Sequence, residues 1–355
     1  MGSRDDGARH LLLIPFAPGI GDTVMMEPLI RAMRSQLPSW RLTVVAREHA
    51  ADLIPPRGFE YVRSSCFVER APAPLRPFHR FIPQWLIAMA AEPAMAMNLG
   101  PFERVLNLFW VWESRVPFHR WWTPGRFPRD GVRHTVDVLA EYLEDELGIT
   151  IPEVERIPRL EPLPAALDWA DAYLDAHGVL GMPLASLVTS SANSLKWWSV
   201  SKWAELNERL VRFGWRTLMV APAGNHHAQQ VNDGCATKPL WPRADLQQVA
   251  ALLSQSDLVV GIDTGPLHMA AALGTPWVGL FGPTNPRVIG PYSYSAGRAV
   301  VARFPKPASC RDCWRAFKNR EDICPTLDAT GCTTLVSVDE VVETIRQLRP
   351  GMHIA

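Results

Sequence analysis

The sequence has no excess of charge of either sign, because 36 Lys and Arg residues balance 36 Asp and Glu residues in a chain of 355 residues. A dedicated nucleic-acid-binding protein carries a basic excess, so we expect no nucleic-acid partner. The sequence also has no apolar run of about 18 residues, the length that a membrane-spanning helix needs. The nearest candidate, residues 85–99, is interrupted by Glu92 and Pro93, so we predict no spanning helix.

We also predict no signal peptide. The first apolar run is short, follows Asp5 and Asp6, and leads into Pro15 and Pro18, whereas a signal peptide places a longer apolar stretch behind positive charge. We therefore predict a cytoplasmic protein. In that reducing compartment the six Cys residues are thiols or metal ligands and not disulfides.

The composition is otherwise that of a globular protein. With 47% apolar and 20% charged residues, disordered and fibrous classes are excluded. At about 100–200 residues per domain, the length predicts two domains. The 14 Trp and 32 Pro residues are numerous, and Trp rings at this density line ligand-binding surfaces or fill cores.

Short apolar runs alternate with helical patterns along the chain. In the first half we predict strands at residues 11–16 and 42–46 and helices at 23–37 and 134–147. Such alternation indicates parallel sheets covered by helices, so we predict two doubly wound α/β domains. In the second half the predicted elements are residues 168–177, 184–190, 201–213, 216–221, 246–254, 257–262, 267–273, 277–281 and 337–348.

A glycine-containing turn follows the first predicted strand. Gly19 and Gly21 let the backbone approach a ligand, and the N-terminus of the following helix attracts anions. Val24 occupies the position of the third glycine in a dinucleotide fingerprint. Asp22 is either a helix cap or a general base, and its residue type leaves both roles open.

Two further polar turns follow strands in the second half. The first combines Ser190, Ser191 and the ammonium of Lys196 near the start of a helix, a combination that suits a phosphate. In that helix we expect Lys202 to face solvent and Trp203 to lie in the core.

The second of these turns reads D-T-G-P-L-H from Asp263 and opens a helix. Backbone N–H groups of a first helical turn can hold a diphosphate. His268 lies one turn into the helix, on the same side as Thr264. An isolated His is more often structural, but this one follows a turn already suited to an anion.

Together the three turns resemble those of the ADP-heptose:lipopolysaccharide heptosyltransferases, glycosyltransferase family 9. That family shows a G-x-G-D turn, a K-x-W-x(4)-W block, and a D-[ST]-G-x-x-H-x-A-A-A-L-G-x-P block followed by F-G-P-T. These correspond to residues 19–22, 196–203 and 263–284. The third block is the most specific, and the similarity extends over residues 11–348.

The resemblance implies a GT-B fold, in which two doubly wound Rossmann-like domains face a central cleft. Residues 1–160 are then expected to bind the acceptor, residues 161–336 to bind the nucleotide sugar, and the helix in residues 337–355 to cross back to the first domain. It also implies inverting transfer of a heptose from ADP-heptose to a saccharide or lipopolysaccharide-core acceptor, with no cofactor required for catalysis.

The resemblance further implies residue roles. Asp22, in the turn of Gly19 and Gly21, matches the proposed base that deprotonates the acceptor hydroxyl. Lys196 matches the residue that neutralises the donor phosphate. With the two serines predicted above, the expected donor-binding set is Ser190, Ser191, Lys196, Asp263, Thr264, Gly265 and His268.

One segment departs from the family. Many members have a Gly-rich turn and then a Glu that contacts the donor nucleoside, whereas residues 223–229 read A-G-N-H-H-A-Q, without an acid. This leaves open a relative that uses another nucleotide sugar in natural-product or protein glycosylation. A nucleotide-sugar 2-epimerase and a non-catalytic sugar-nucleotide-binding protein are further alternatives.

Residues 76–133 are rich in basic and aromatic side chains. This segment suits an anionic acceptor such as a phosphate-bearing lipid A core, or peripheral contact with the cytoplasmic face of the inner membrane. A solvated irregular segment is the alternative. We assign Arg120 to the acceptor side. The basic residues are Arg76, Arg80, Arg104, Arg115, Arg120, Arg126, Arg129 and Arg133.

Four Cys residues in a polar loop, residues 310–332, show the spacing C-x2-C-x10-C-x7-C: Cys310, Cys313, Cys324 and Cys332. Such a set can hold a structural zinc or iron ion that stabilises a loop without a core. Family members carry a similar cluster, which in some relatives holds iron, and free thiols are the alternative. We expect Cys66 and Cys235 to be inert.

Overall fold

The computed structural model describes residues 9–15, 19–63, 102–108, 133–292, 297–301 and 331–348. The chain divides into two compact units, Met1–Ile157 and Pro158–Ala355. Each unit contains a parallel sheet together with helices, so the predicted α/β class is confirmed.

The first unit has a four-stranded sheet of order β3-β2-β1-β4, and its pairings are parallel. Its strands are β1 (Arg9–Ile14), β2 (Trp40–Ala46), β3 (Glu60–Arg63) and β4 (Arg104–Asn107), and its helices are α1 (Ile20–Gln36), α2 (Glu48–Leu53) and α3 (Thr135–Leu147). Successive strand residues point to opposite faces. Because the consecutive residues Leu11, Leu12 and Leu13 are all buried, both faces of β1 are covered.

The second unit has a five-stranded parallel sheet of order β6-β5-β7-β8-β9. Its strands are β5 (Leu184–Val188), β6 (Arg216–Val220), β7 (Leu258–Ile262), β8 (Trp277–Phe281) and β9 (Gly297–Val301). Its helices are α4 (Pro164–Ala176), α5 (Val200–Arg212), α6 (His226–Gly234), α7 (Leu246–Ser254), α8 (Gly265–Ala272), α9 (Pro286–Ile289) and α10 (Val338–Leu348). Short 3-10 turns lie at Glu153–Arg156, Ser194–Lys196 and Cys332–Leu335.

Helix α8 packs closely against the second sheet. Leu267, in its first turn, is fully buried and lies over Gly279 of β8. A Cβ added to Gly279 would come within 2.9 Å of Leu267 Cδ2, so the glycine makes this close approach possible. This packing fixes the position of the start of α8 on the sheet. It therefore also fixes the turn of Asp263 and Thr264, which joins the end of β7 to α8.

Helix α10 begins with the predicted capping box. Ser337 Oγ accepts the Glu340 N–H at 3.2 Å, and the Glu340 carboxylate accepts the Ser337 N–H at 2.9 Å. Its apolar residues, among them Val341 and Ile345, belong to the core of the second unit together with Trp203. The predicted crossing of this segment to the N-terminal domain stays a prediction.

Cys235 is a buried thiol in the second unit. Burial raises its pKa to about 11, and the nearby Glu208 adds to the effect. Because the thiolate is the reactive form, burial and the raised pKa disfavour a reactive role for Cys235, and its inertness stays a prediction. Cys66 lies outside the described residues.

Among the helices that the structure describes, none is long and apolar enough to cross a membrane.

Candidate functional site

Two polar turns of the second unit lie at the same edge of its sheet. Strand β5 ends at Val188 and leads to the 3-10 turn Ser194–Lys196, while β7 ends at Ile262 and leads to Asp263. The two strands are parallel neighbours, with Val188 opposite Gly261. Their carboxyl ends therefore meet, which is where open α/β sheets bind ligands.

Lys196 and Asp263 form an ion pair at this edge. Lys196 Nζ lies 2.7 Å from Asp263 Oδ2 and 3.2 Å from the Asp263 carbonyl oxygen. The Asp263 side chain is 4% exposed and the Lys196 side chain 19%. Burial alone raises the pKa of Asp263, but Lys196 and His268 outweigh it and hold that pKa well below its usual range.

His268 lies inside the unit, beside Asp263. Its Nε2 is 3.6 Å from Asp263 Oδ1, and the residue is only 5% exposed. Its buried Nδ1 has no hydrogen-bond partner among the described residues. Lys196 is therefore the residue of this trio that reaches the surface. Asp263 and His268 lie behind it.

The start of α8 adds the backbone N–H of Gly265 to the site, whereas Pro266 has no N–H and the Leu267 N–H donates to the Thr264 carbonyl oxygen at 3.0 Å. Thr264 is its N-cap residue in extended backbone conformation, and the Thr264 side chain makes no capping hydrogen bond. Thr264 and Gly265 are partly exposed. A helix N-terminus favours anions, so this turn and the Lys196 ammonium together offer a place for a negatively charged group.

The loop between β5 and Lys196 is held by its own polar groups. Ser190 is buried. Ser191 Oγ accepts the Asn193 N–H at 3.2 Å, and Asn193 Oδ1 caps the 3-10 turn by accepting the Leu195 N–H at 2.9 Å. The structure thus places both predicted serines in the loop that presents Lys196.

The segment before α10 contacts the residues that follow Lys196. Lys202 Nζ donates to the carbonyl oxygens of Thr334, at 2.6 Å, and Val336, at 2.9 Å, and Trp198 Nε1 donates to Val336 at 2.9 Å. The expectation that Lys202 faces solvent was wrong, because these carbonyls draw its ammonium inward. Trp203 is fully buried, as predicted, and packs edge-to-face on Trp198 at 5.0 Å between ring centroids.

The turn with Asp22 lies in the first unit, at the end of β1. Gly19 is the N-cap of α1, and Asp22 Oδ2 accepts the Gly19 N–H at 2.9 Å. Thr23 donates from its backbone N and its Oγ1 to the Gly19 carbonyl, at 2.9 and 3.0 Å. Gly21 lies in the first turn of the helix. Asp22 therefore takes part in capping, and a carboxylate with about four acceptor positions can combine this contact with proton transfer.

Several predicted residues fall outside the described part of the chain. These are Arg120 and three of the four clustered Cys residues, Cys310, Cys313 and Cys324. Cys332 is described and buried, and the structural metal stays a prediction. Of the basic segment, Arg104 lies 3.8 Å from Glu146, and Arg133 pairs with Glu141.

Two histidines near these turns were not singled out from the sequence. His227, which is 5% exposed, stacks on Trp197 with ring centroids 4.4 Å apart. It lies in residues 223–229, the segment without the Glu that many family members carry. His49 lies beside the Asp22 turn, with Nε2 3.4 Å from Thr23 Oγ1. Neither histidine lies in a recognisable sequence motif. Both contacts join distant segments that come together only when neighbouring strands pair.

Comparison with known proteins identifies the family. Residues 109–315 match the model of "Glycosyltransferase family 9 (heptosyltransferase)". Lipopolysaccharide heptosyltransferase 1 of Salmonella typhimurium is 29% identical over 164 residues, 45% of this chain and 48% of that protein. The Pseudomonas aeruginosa protein of the same name is 33% identical over 32% of this chain and 33% of its own length. The chain thus spans half or less of the length of these curated relatives.

Solved structures show the same fold over nearly the whole chain. The glycosyl transferase family 9 protein from Veillonella parvula superposes with a TM-score of 0.67 at 20% identity, covering 96% of this chain and 97% of its own. The E. coli heptosyltransferase WaaC with ADP gives 0.60 at 17% identity, covering 96% and 99%. The predicted GT-B fold is confirmed. Because the family match covers more than half of the sequence, the chain belongs to glycosyltransferase family 9, the heptosyltransferase family.

Proposed function

We propose that the protein is an inverting glycosyltransferase that transfers a heptose from ADP-heptose to a saccharide of the lipopolysaccharide core. The observation that carries the proposal is the Lys196–Asp263 pair at the N-terminus of α8. The names of the relatives support the sugar and the acceptor, and the WaaC structure with ADP supports the nucleotide.

The donor diphosphate binds between Lys196 and the first turn of α8 in this proposal. The buried carboxylate of Asp263 fixes the lysine ammonium at the surface, so little of the lysine's rotamer freedom remains to be lost on binding. The ammonium, the Gly265 N–H and the Thr264 hydroxyl can share the charge that develops on the leaving diphosphate. The chain's own residues thus supply the stabilisation that a catalytic cation provides elsewhere.

Asp22 acts as the general base on the acceptor side. The acceptor hydroxyl oxygen attacks the anomeric carbon, its proton passes to the Asp22 carboxylate, and the bond from that carbon to the diphosphate oxygen breaks with its electron pair. One displacement of this kind inverts the anomeric configuration. The basic segment 76–133, with Arg120, is proposed to hold an anionic acceptor at the cytoplasmic face of the inner membrane.

A second candidate donor follows from one observation. Where many relatives carry a Glu that contacts the nucleoside, this chain has the buried His227 stacked on the partly buried Trp197. An aromatic pair without a carboxylate offers the nucleoside no charged acceptor. A donor with a different nucleotide is therefore the alternative to ADP-heptose.

Binding of a nucleotide-sugar panel tests the proposed donor. A ligand present at about 100 times its dissociation constant adds roughly 2.7 kcal/mol of stability, which is visible as a thermal shift of the purified protein. We expect ADP-heptose to shift the midpoint and GDP-, UDP- and dTDP-sugars not to. A shift with another nucleotide would replace the donor, and release of free epimerised sugar without an acceptor would favour the 2-epimerase.

The support of the Lys196 loop gives a second prediction, for Gly331→Ala. A Cβ at Gly331 would come within 1.8 Å of the Leu195 carbonyl oxygen, so the turn that presents Lys196 has to move. We expect a loss of about 1–3 kcal/mol of stability, the usual range for overpacking, and weaker ADP binding by calorimetry.

Gly234→Ala is the matched control for this prediction. It lies at the end of α6, where an added Cβ meets no atom closer than 3.5 Å, and it should leave both properties unchanged. ADP affinity equal to that of the wild type in Gly331→Ala would show that this contact does not position Lys196.

A further inference from the structure

Asn107 is the last residue of β4, at the edge of the first sheet from which the Asp22 turn also starts. Strand β4 is a parallel neighbour of β1, and Asn107 lies opposite Ile14, the residue with which β1 ends. From Ile14 the chain leads to the turn of Gly19 and Asp22 at the start of α1. Because open α/β sheets bind ligands at the carboxyl ends of their strands, Asn107 lies at the binding edge of this sheet.

Both polar atoms of the Asn107 side chain are buried without a hydrogen bond. The residue is 6% exposed, and neither Nδ2 nor Oδ1 has a partner among the described residues. By contrast, Thr43 Oγ1 in the same sheet lies 2.9 Å from His10 Nε2, and the buried Glu27 carboxylate accepts from Arg31 at 2.8 Å. A buried amide without a partner costs free energy, and native proteins keep few such groups, often where function requires them.

The side chains beside Asn107 on the sheet are apolar. Side chains two residues apart in a strand share a face, so Asn107 lies on the same face as Val105. Val105 packs against a cluster of buried apolar side chains, Leu12, Ile14 and Val45. These neighbours offer the amide no polar atom, and its hydrogen-bonding capacity is therefore left for a molecule that binds at the carboxyl edge.

We propose that Asn107 is an acceptor-binding residue, whose carboxamide hydrogen-bonds to hydroxyl groups of the acceptor saccharide. This role rests on the proposed function, in which Asp22 takes a proton from that saccharide. A carboxamide donates from Nδ2 and accepts at Oδ1. Sugar hydroxyls both accept and donate, so a saccharide can satisfy the two atoms, whereas an ionised phosphate only accepts and would leave Oδ1 unpaired.

Asn107→Leu tests this role, because Leu has nearly the shape of Asn and needs no hydrogen bond. Replacing an unsatisfied buried amide by an apolar group is neutral or stabilising, so the variant should unfold at the wild-type Tm or above. In steady-state assays with ADP-heptose and a core-saccharide acceptor, the acceptor KM should rise about tenfold, as expected for one or two lost hydrogen bonds. The donor KM should stay within about twofold of wild type, since only acceptor binding is weakened.

Acceptors that each lack one hydroxyl group show whether the contact is direct. With the acceptor that lacks the bound hydroxyl, wild type should lose about tenfold in kcat/KM. Asn107→Leu should lose almost nothing further with that acceptor, because the interaction is already absent. Equal losses in wild type and Asn107→Leu for every acceptor of the series would overturn the proposal.

Thr43→Val is the matched control. It also removes a buried polar group from the first sheet, but Thr43 is hydrogen-bonded to His10 and lies opposite Leu12, in the middle of its strand. We expect Tm to fall by about 2–4 °C and the acceptor KM to stay at the wild-type value.

The outcomes separate this role from the proposed function. Transfer by wild type together with an unchanged acceptor KM in Asn107→Leu would overturn the role of Asn107 alone. A lower Tm in that variant with an unchanged acceptor KM would show that the amide is structural. If wild type transfers no heptose to the core saccharide, the proposed function fails and this role fails with it.

Discussion

Asp22→Asn is expected to lower kcat by about 10²–10⁴-fold, the usual contribution of a general base, and to leave the fold and donor binding intact. The amide has the shape of the carboxylate, and its oxygen can still accept the Gly19 N–H that Asp22 Oδ2 accepts at 2.9 Å. Capping is therefore retained while proton transfer is lost. Product formation by mass spectrometry gives kcat, and the thermal shift with ADP-heptose reports donor binding.

The control for this prediction is Asp245→Asn. Asp245 is the N-cap residue of α7, with Oδ1 accepting the Gln248 N–H at 2.8 Å, whereas Asp22 accepts from the N-cap residue of its helix. Both carboxylates cap a helix, and Asn is as good an N-cap as Asp. We expect this variant to turn over at the wild-type rate. If Asp22→Asn does the same, the Asp22 carboxylate is a helix cap only and another group takes the proton.

Much of the fold follows from local pattern. Strand β8 and helix α7 have the predicted bounds, because each is a compact apolar segment between clear turn residues. The elements that were not predicted are short or lie at sheet edges. In β9, an edge strand, Val300 is buried while Ala299 and Val301 are exposed, and its apolar run has only four residues, 299–302. Strands β3 and β4 have four residues each, too few to show a period.

The site is partly predictable for a related reason. Asp22, Lys196 and Asp263 each follow a predicted strand, and the carboxyl ends of parallel strands lie at one edge of a sheet. How deeply each side chain is buried cannot be predicted from the residues near it in the sequence. That Asp263 lies behind Lys196, and that Lys202 turns inward to backbone carbonyls, depends on packing between segments far apart in the chain.

The contact of His49 shows the same limit. It lies 26 residues from Thr23 along the chain, and nothing near it in sequence indicates a site. Only the register of β1 on β2, with Leu11 opposite Leu42, brings the following segments together. Motif reasoning therefore finds residues on the turns themselves and misses those that support the turns from a neighbouring segment.

Asp263→Asn is expected to cost about 3–5 kcal/mol of stability, the usual penalty for removing one partner of a buried pair. The asparagine leaves the Lys196 ammonium, 19% exposed, without its counter-charge. Because the pKa of Asp263 is lowered in the folded protein, its contribution is complete above the unfolded-state pKa of about 3.9 and is lost as the pH falls through the folded-state pKa. The penalty should thus be full at pH 7 and shrink below about pH 4.

A double-mutant cycle in urea unfolding separates the pair from its surroundings. Lys196→Met leaves a buried carboxylate without its lysine, whereas Lys196→Met with Asp263→Asn removes both charges, so the double variant should be more stable than the sum of the single losses predicts. The exposed pair of Arg209 and Asp339, at 2.7 Å, is the control, and Asp339→Asn should cost at most about 1 kcal/mol. Lys196→Met should also lose donor affinity, because the diphosphate loses its cation. Additive single losses together with unchanged donor affinity would show that Lys196 is only a surface lysine, and the donor site would have to be sought elsewhere in the chain.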